Sequence, residues 1–306
     1  MPILSARLRW SLSIALLLLF VVLLEHYIGW VRLLQPWLLV DKGLLSLLLA
    51  LVLASYALRA VRLYVYFHAD LGGQFPLAFK LMLQHNMANN FLPMRSGELT
   101  FPMLMSRYFG VSLSRSMPAL LWFRMFDLHT MALLALWAVG SQWFGPYWVG
   151  LVVLLWLSLP WLLFLFNHWL LEHLEGRDHG RLSGLFVKLL RGAPAHRGLL
   201  LKTWLWSLIN WLVKLLAFAW LLALFAQLGT AQALLGVIGG ELTSVLPIHG
   251  VAGVGTYEAG IVAALLPSGV DAQTAVGAAV NLHLFLLGTT LLGALLSLPL
   301  RRRRVA

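Results

Sequence analysis

Six apolar runs, each about 20 residues or longer, constrain the fold of this chain more than any other feature of its sequence. A helix needs about 20 apolar residues to cross the hydrocarbon core of a bilayer, so each run is long enough to span a membrane. The runs cover residues 9–28, 44–66, 117–139, 147–166, 199–225 and 274–298. Charged residues make up only 11% of the 306 residues, which is too little polar surface for a water-soluble globule. The sequence predicts an all-α integral membrane protein, with residues 1–306 forming a single transmembrane domain.

The basic residues cluster at the ends of the apolar runs. A net charge of +11 is compatible with nucleic-acid binding, but this placement is typical of the cytoplasmic loops of a membrane protein, and we expect no nucleic-acid partner. The clusters are Arg7 and Arg9, Arg59 and Arg62, the basic residues of the connection 167–202, and Arg301 to Arg304. We therefore expect a multi-pass protein of the bacterial cytoplasmic (inner) membrane, with both termini in the cytoplasm.

Several classes of site are not expected. The chain has no cysteine, which excludes disulfides and thiolate metal sites. The glycines from Gly250 to Gly255 follow no predicted strand and precede no Gly-Lys-Ser/Thr sequence, so they do not indicate a nucleotide-binding loop. The histidines between residues 168 and 196 lack the spacing of a zinc helix. We expect no metal and no cofactor.

Two further apolar segments, residues 79–109 and 232–266, are interrupted in the middle. The first interruption, residues 89–98, reads Asn-Asn-Phe-Leu-Pro-Met-Arg-Ser-Gly-Glu, and the second, residues 246–258, reads Leu-Pro-Ile-His-Gly-Val-Ala-Gly-Val-Gly-Thr-Tyr-Glu. Non-helical backbone survives at membrane depth only where protein buries it or water reaches it. We interpret both segments as re-entrant helical hairpins. The alternative is that they are loops outside the membrane with interfacial helices.

The positions of the two hairpins suggest an internal repeat. Each hairpin follows two spans and precedes one, and the second set starts on the opposite face of the membrane. We therefore predict two halves of inverted topology, residues 1–140 and 141–300. Interrupted helices at matching places in two such halves are a known indication of a transport site near the bilayer midplane.

The residues of the two interruptions resemble a known family. The sequence of residues 89–98, the following Arg107-Tyr108-Phe109-Gly110-Val111-Ser112 and Arg124-Met125-Phe126-Asp127 are similar to the lysylphosphatidylglycerol synthase transmembrane, or flippase-like, family. The glycine-rich stretch ending at Glu258 resembles the second motif of that family. The sequence departs from the family pattern at Phe101, where an arginine is expected, and at Val251, where a proline is expected. The resemblance implies a lipid flippase-like bundle, and it does not imply aminoacyl transferase activity, because it covers the membrane region alone.

Charged side chains within the bilayer must be paired or hydrated, because each costs about 2.5 kcal/mol or more to insert. Next to the broken helix at Pro93, the Arg95 guanidinium is suited to a lipid phosphate, and Glu98 to an amine headgroup or a coupling proton. Arg124 and Asp127 lie three residues apart, so an intrahelical ion pair and a substrate role both stay open.

The remaining candidates lie in the second half. Lys214, deep in the fifth run, is expected to point towards an acid or a lipid phosphate. Glu258 is either a ligand group beside the glycines or a carboxylate at a helix N-terminus. The polar residues His249, His283, Asn210 and Asn281 either line a cavity or form interhelical hydrogen bonds. The predicted substrate-binding residues are Asn90, Pro93, Arg95, Glu98, Arg124, Asp127, Lys214, Pro247, His249, Gly253, Gly255 and Glu258.

Two classes of function are compatible with these residues. The first, which we favour, is a non-enzymatic transporter that moves an anionic or amine-bearing lipid, such as a phospholipid, an aminoacyl-phospholipid or a polyprenyl phosphate. The second is a membrane enzyme acting on a lipid phosphate or a lipid-linked sugar, with Glu98 or Glu258 as acid or base. A third hypothesis is that the protein is a scaffold for a glycosyltransferase. Membrane lipids are the expected partners, and a homo-oligomer or a complex with a lipid-modifying enzyme stays open.

Overall fold

The computed structural model describes residues 6–174, 181–243 and 251–300. Helices account for 88% of the structure and no strand occurs in the described ranges, which confirms the all-α class. In chain order the helices are α1 (Ala6–Tyr27), α2 (Trp30–Leu34), α3 (Pro36–Leu39), α4 (Lys42–Tyr66), α5 (His68–Leu71), α6 (Phe75–Phe91), α7 (Thr100–Phe109), α8 (Leu113–Trp143), α9 (Pro146–Leu174), α10 (Arg181–Leu190), α11 (Arg197–Ala226), α12 (Thr230–Thr243), α13 (Thr256–Leu265) and α14 (Ala272–Ser297). Three 3-10 segments, Pro93–Leu99, Val251–Gly253 and Leu266–Ser268, lie beside the short helices.

Six helical segments of the described chain are long and apolar enough to cross a membrane. Five of them, in α4, α8, α9, α11 and α14, confirm the second to sixth predicted runs. The sixth, Val251–Ser268, contains α13 and belongs to the second interrupted segment. Length and composition thus allow this segment to be a span, so its re-entrant path stays a prediction.

The first predicted run forms α1, which ends at a sharp bend. Leu18–Tyr27 and Trp30–Leu39 together qualify as a further candidate span, but they are bent by 90°. The bend occurs at Gly29, whose φ of 82° lies in the left-handed region that favours glycine. The Glu25 carboxylate accepts a hydrogen bond from the backbone N–H of Trp30 at 2.9 Å, which satisfies one of the free donors at the start of α2.

The chain divides into two compact units, each built from several separate stretches of sequence. Unit 1 comprises Met1–Leu53, Asn86–Glu98 and Lys214–Leu295, and unit 2 comprises Ala54–His85, Leu99–Val213 and Leu296–Ala306. The order of two long helices, an interrupted pair and one long helix occurs twice along the chain, first as α1, α4, α6 with α7, and α8, and then as α9, α11, α12 with α13, and α14. The inverted relation of residues 1–140 and 141–300 stays a prediction.

Within unit 1, α12 and α13 form a tightly packed helical pair. A Cβ atom on Gly239 would overlap the backbone oxygen of Gly260, so the two backbones touch directly. One residue further on, a Cβ atom on Gly240 would lie 3.0 Å from Tyr257 and 2.8 Å from Ile261. Only glycine permits this approach of two helices, and close approach of this kind is a common way to pack helices in a membrane.

The first interruption also depends on a glycine. Gly97, in the 3-10 segment after α6, is buried, and a Cβ atom there would overlap the backbone oxygen of Ala88. The chain therefore folds back onto the end of α6. In unit 2, the two sides of this segment share further contacts, since His85 Nδ1 lies 3.0 Å from Thr100 Oγ1. Tyr108 donates to Gln84 Oε1 at 2.7 Å.

The contact of α12 with α13 gives a direct test of this packing. We expect Gly239→Ala to lower the free energy of unfolding by about 1–3 kcal/mol, because the added methyl group must push the two helices apart. The matched control is Gly288→Ala in α14, where nothing lies within 4 Å of the added carbon. That control should leave stability unchanged or raise it slightly. Thermal unfolding of the purified variants in one detergent measures both, and equal stability of the two variants would contradict the direct backbone contact.

Candidate functional site

Unit 1 contains a buried ion pair between α11 and α12. Lys214 Nζ lies 2.6 Å from Glu241 Oε1, and the two side chains are only 6% and 5% exposed. Lys214 thus points towards an acid, which is one of the two partners predicted for it. The acid, Glu241, is not among the predicted site residues. The positive charge of Lys214 is therefore paired within unit 1.

A second buried pair joins the second interruption to α14. Glu258 Oε1 lies 2.7 Å from His283 Nδ1, with the side chains 5% and 4% exposed. The other carboxylate oxygen accepts the backbone N–H of Gly255 at 2.8 Å, so Glu258 also satisfies a free donor at the start of α13. The ring of Tyr257 lies beside that of His283, with 4.6 Å between the centroids. Both sequence interpretations of Glu258 are therefore compatible with its position.

The two buried pairs belong to one region of unit 1. Gly240, which precedes Glu241, packs on the ring of Tyr257, and Tyr257 in turn contacts His283. Tyr257 thus packs between the backbone next to Glu241 and the ring of His283. Glu258 and His283 lie within hydrogen-bonding distance of each other, and both are buried.

The glycines of the second interruption shape its backbone. Gly253 and Gly255 have φ values of 74° and 82°, in the left-handed region. Ala252 between the helices also has a positive φ, of 55°. The Thr256 hydroxyl donates to the Gly253 carbonyl at 2.9 Å and thereby fixes the turn into α13. The predicted Pro247 and His249 lie outside the described residues.

The first interruption reaches the same helix, α14. The Asn90 amide, at the end of α6, donates to Thr290 Oγ1 at 2.7 Å. Thr290 and His283 are seven residues apart, so they lie on one face of α14, about 10 Å from each other along its axis. Both interruptions therefore attach to one face of a single helix in unit 1.

The other predicted residues of the first interruption occupy its 3-10 segment, Pro93–Leu99. Pro93 begins this segment and Arg95 follows, but the side chains of both lie outside the described part of the chain. Glu98 is half-buried, and it is the last residue of this segment that belongs to unit 1. Its position, one residue after the Gly97 contact, is fixed by that close approach of the backbone.

Unit 2 contains a separate group of buried charges, around Asp127 on α8. Asp127 is 3% exposed and pairs with Arg62 on α4, whose Nη1 and Nη2 approach both carboxylate oxygens. Arg62 also donates to Ser207 Oγ on α11 at 2.6 Å. The predicted partner Arg124, on the same helix as Asp127, lies 3.7 Å away. The intrahelical pair therefore exists, but the principal partner of Asp127 comes from another helix.

The burial of Arg62 was not predicted from the sequence. The structure buries Arg62 to 4% exposure, with its guanidinium 4.6 Å from the ring centroid of Phe123. Arg59, one turn earlier on α4, lies 5.2 Å from the ring of Trp211. The side-chain amide of Asn210 makes two hydrogen bonds in one of its two orientations. Its nitrogen then donates to the Ser55 carbonyl at 2.7 Å, and its oxygen accepts from Arg59 Nε at 3.3 Å. Their position near the end of a run gives no indication that Arg62 is buried and Arg59 half-buried. Asp127 is 65 residues from Arg62 in sequence, so the sequence does not reveal that the two side chains pair.

This group carries more positive than negative charge. Three arginines, Arg59, Arg62 and Arg124, all influence the single carboxylate of Asp127. Among these four side chains the charge is +2 when all are ionised. Guanidinium groups grouped in this way on α4 and α8 are of the kind that binds an anion, above all a phosphate, whose oxygens match the fork of arginine.

A comparison with known families agrees with this picture of a membrane protein. The family model described as the lysylphosphatidylglycerol synthase TM region matches residues 10–293. No curated protein matches the chain. No solved structure matches it either.

The ion pair of Lys214 and Glu241 gives a test of the buried charges in unit 1. We expect Lys214→Met to lower the free energy of unfolding by about 3–5 kcal/mol, because it leaves a buried carboxylate without its cation. The double variant Lys214→Met with Glu241→Gln should recover most of that loss. Thermal unfolding in detergent is measured for the double variant and for the two single variants, Lys214→Met and Glu241→Gln. A double variant as unstable as the sum of the two single changes would show that the two residues do not act as a pair.

Proposed function

Because the chain belongs to the lysylphosphatidylglycerol synthase transmembrane family, whose members are membrane proteins of lipid metabolism or transport, we propose that it is a flippase-like lipid transporter. In this proposal the headgroup of an anionic or amine-bearing lipid passes through the polar interior, while the acyl or isoprenoid chains stay in the bilayer. The six apolar segments of the described chain make it a multi-pass membrane protein. The cytoplasmic membrane, and cytoplasmic termini, are part of the proposal.

The observation that carries this proposal is that both interrupted segments attach to one face of α14. Asn90 reaches Thr290, and Glu258 reaches His283. Irregular backbone in a membrane protein is tolerated where it lines a site, and interrupted helices in matching positions are a feature of transporters. The repeated order of helices supports an inverted repeat with two re-entrant hairpins.

The charged groups support the class of substrate. The arginines around Asp127 favour a phosphate, which every phospholipid and polyprenyl phosphate carries. Glu258 with His283, and Glu98 at the first interruption, offer carboxylates for an amine headgroup or for a coupling proton. An aminoacyl-phospholipid contains both a phosphate and an amine, so it belongs to the proposed class of substrate.

One observation supports an enzyme as the second candidate. Glu258 and His283 lie within hydrogen-bonding distance, at 2.7 Å, and this pair could act as a general acid and base on a lipid phosphate or a lipid-linked sugar. The pair is, however, shielded by Tyr257 and attached to the helix start through Gly255. These contacts suit a positioned proton carrier at least as well as a reacting base.

The transport proposal predicts that Glu258→Gln slows lipid movement at least tenfold, because glutamine keeps an acceptor for the Gly255 N–H but cannot hold a proton with His283. The matched control is Glu172→Gln, whose side chain at the end of α9 is 66% exposed. Its rate should stay within twofold of wild type. The measurement is the movement of a fluorescent phospholipid in proteoliposomes, read as protection from a membrane-impermeant quencher.

Either of two results would contradict the proposal. One is a Glu258→Gln variant that moves the labelled lipid as fast as wild type. The other is a covalently altered lipid in the recovered vesicles, detected by mass spectrometry, which would favour the enzyme.

The first interruption has its own test in the same assay. We expect Arg95→Ala and Glu98→Ala each to abolish lipid movement while the bundle stays folded, because both remove a charged group that the interruption offers to a headgroup. Helical circular dichroism and the unfolding temperature check the fold. If both variants move lipid normally, the residues of the first interruption are not part of the site.

A further inference from the structure

A cavity of about 310 Å³ lies in unit 2, and none of the arginines around Asp127 lines it. It is formed by the end of α4, the start of α8, the last turn of α10 with the residues that follow, and the start of α11. Its lining includes Tyr66, Arg115, Lys188, Arg191, Gly192 and Leu199. This volume is at the lower end of the range of small-molecule sites, so it suits a compact group and not a whole lipid.

The cavity lies where three long helices of unit 2 end. Helix α4 ends at Tyr66, and α8 and α11 begin at Leu113 and Arg197. Each of these helices contains a candidate membrane span. Ends of successive spans that meet in this way mark a membrane surface, which is the level of lipid headgroups.

The walls of the cavity are held in place by contacts that do not involve its charged groups. The Tyr66 hydroxyl donates to the Gly192 carbonyl at 2.7 Å. Trp122 and Asn167 donate to the carbonyls of Leu189 and Leu190, both at 3.3 Å. A Cβ atom on Gly192 would overlap Pro118, so this turn packs directly on α8. The end of α10 is therefore fixed, and the cavity is formed before any ligand arrives.

The charge of the cavity is strongly positive. Arg115, Lys188 and Arg191 line it, and no acidic residue of the described ranges does. The carboxylate of Asp70, which is not part of the lining, accepts from Arg115 Nη1 at 2.7 Å. This bond and the contact with the ring of Phe67 orient Arg115, and they use only part of the five donors of its guanidinium.

We propose that this cavity binds a phosphate group, and that its ordinary source is an anionic lipid in the adjoining membrane leaflet. Two guanidinium groups and an ammonium group around a small preformed cavity match the oxygens of a phosphate monoester or diester. The helix α10 supports the lipid as the source, because its sequence has apolar residues at positions 182, 185, 186, 189 and 190, the pattern of a helix that lies on a membrane surface. The site is independent of the transport proposal.

Binding of dioleoyl phosphatidylglycerol to the full chain, followed by native mass spectrometry in detergent, tests the site. Lys188 and Arg191 are both exposed, so the double variant Lys188→Gln with Arg191→Gln is expected to fold. Its affinity for this lipid should fall at least tenfold. Arg107→Gln and Lys202→Gln, which remove the same charges from exposed positions outside the cavity lining, are the matched controls and should stay within twofold of wild type.

A parallel titration with soluble glycerol 1-phosphate separates the two sources of phosphate. If glycerol 1-phosphate displaces the lipid, the cavity also accepts a phosphate from water. If the lipid stays bound in the presence of this competitor, its acyl chains contribute to binding. The proposal is overturned if the double variant binds phosphatidylglycerol like wild type, or if both controls lose as much affinity as the double variant. Unfolding temperatures without ligand confirm that all variants are folded.

Discussion

The fold of this chain depends on one constraint, that every charge and every free backbone group within an apolar solvent must find its partner inside the protein. Lys214 meets this constraint through Glu241, and Arg62 through Asp127. Glu258 meets it twice, because one oxygen binds His283 and the other binds the start of α13. Close packing adds to this pairing, because the direct backbone contact at Gly239 and Gly260 leaves no space for water or lipid between α12 and α13.

The sequence was sufficient to predict the long helices and the two interruptions, because both depend on the local composition of the chain. Run lengths located the ends of the long helices to within about four residues, except that α9 continues eight residues beyond its predicted run, from residue 166 to Leu174. The glycines and prolines located both interruptions. The sequence also indicated that Lys214 and Asp127 need partners. It could not identify Glu241 or Arg62 as those partners, because each partner lies on a different helix and the facing sides of two apolar helices look alike in sequence.

Arg62 is an example of a residue whose environment differs from the one that its sequence position indicates. Near the end of an apolar run, a basic residue normally indicates a cytoplasmic loop. Here the helix continues to Tyr66, and Arg62 turns inward to Asp127 and Ser207. A count of flanking charges that includes Arg62 therefore overestimates the number of exposed basic residues at this end of α4. The same residue, once placed in the interior, becomes part of an arginine group that favours a phosphate.

The polar side chains of α14 explain how an apolar helix can organise two polar segments. Asn281 donates to the Leu33 carbonyl and accepts from Trp37, His283 binds Glu258, and Thr290 accepts from Asn90. Asn90 binds α14 through a hydrogen bond between neutral groups, which contributes only about 1 kcal/mol net. Glu258 lies on α13, within the tightly packed helical pair, and its bond to His283 is buried beside the ring of Tyr257. In the transport proposal, a headgroup that competes for Asn90 therefore has less to displace than one that competes for Glu258.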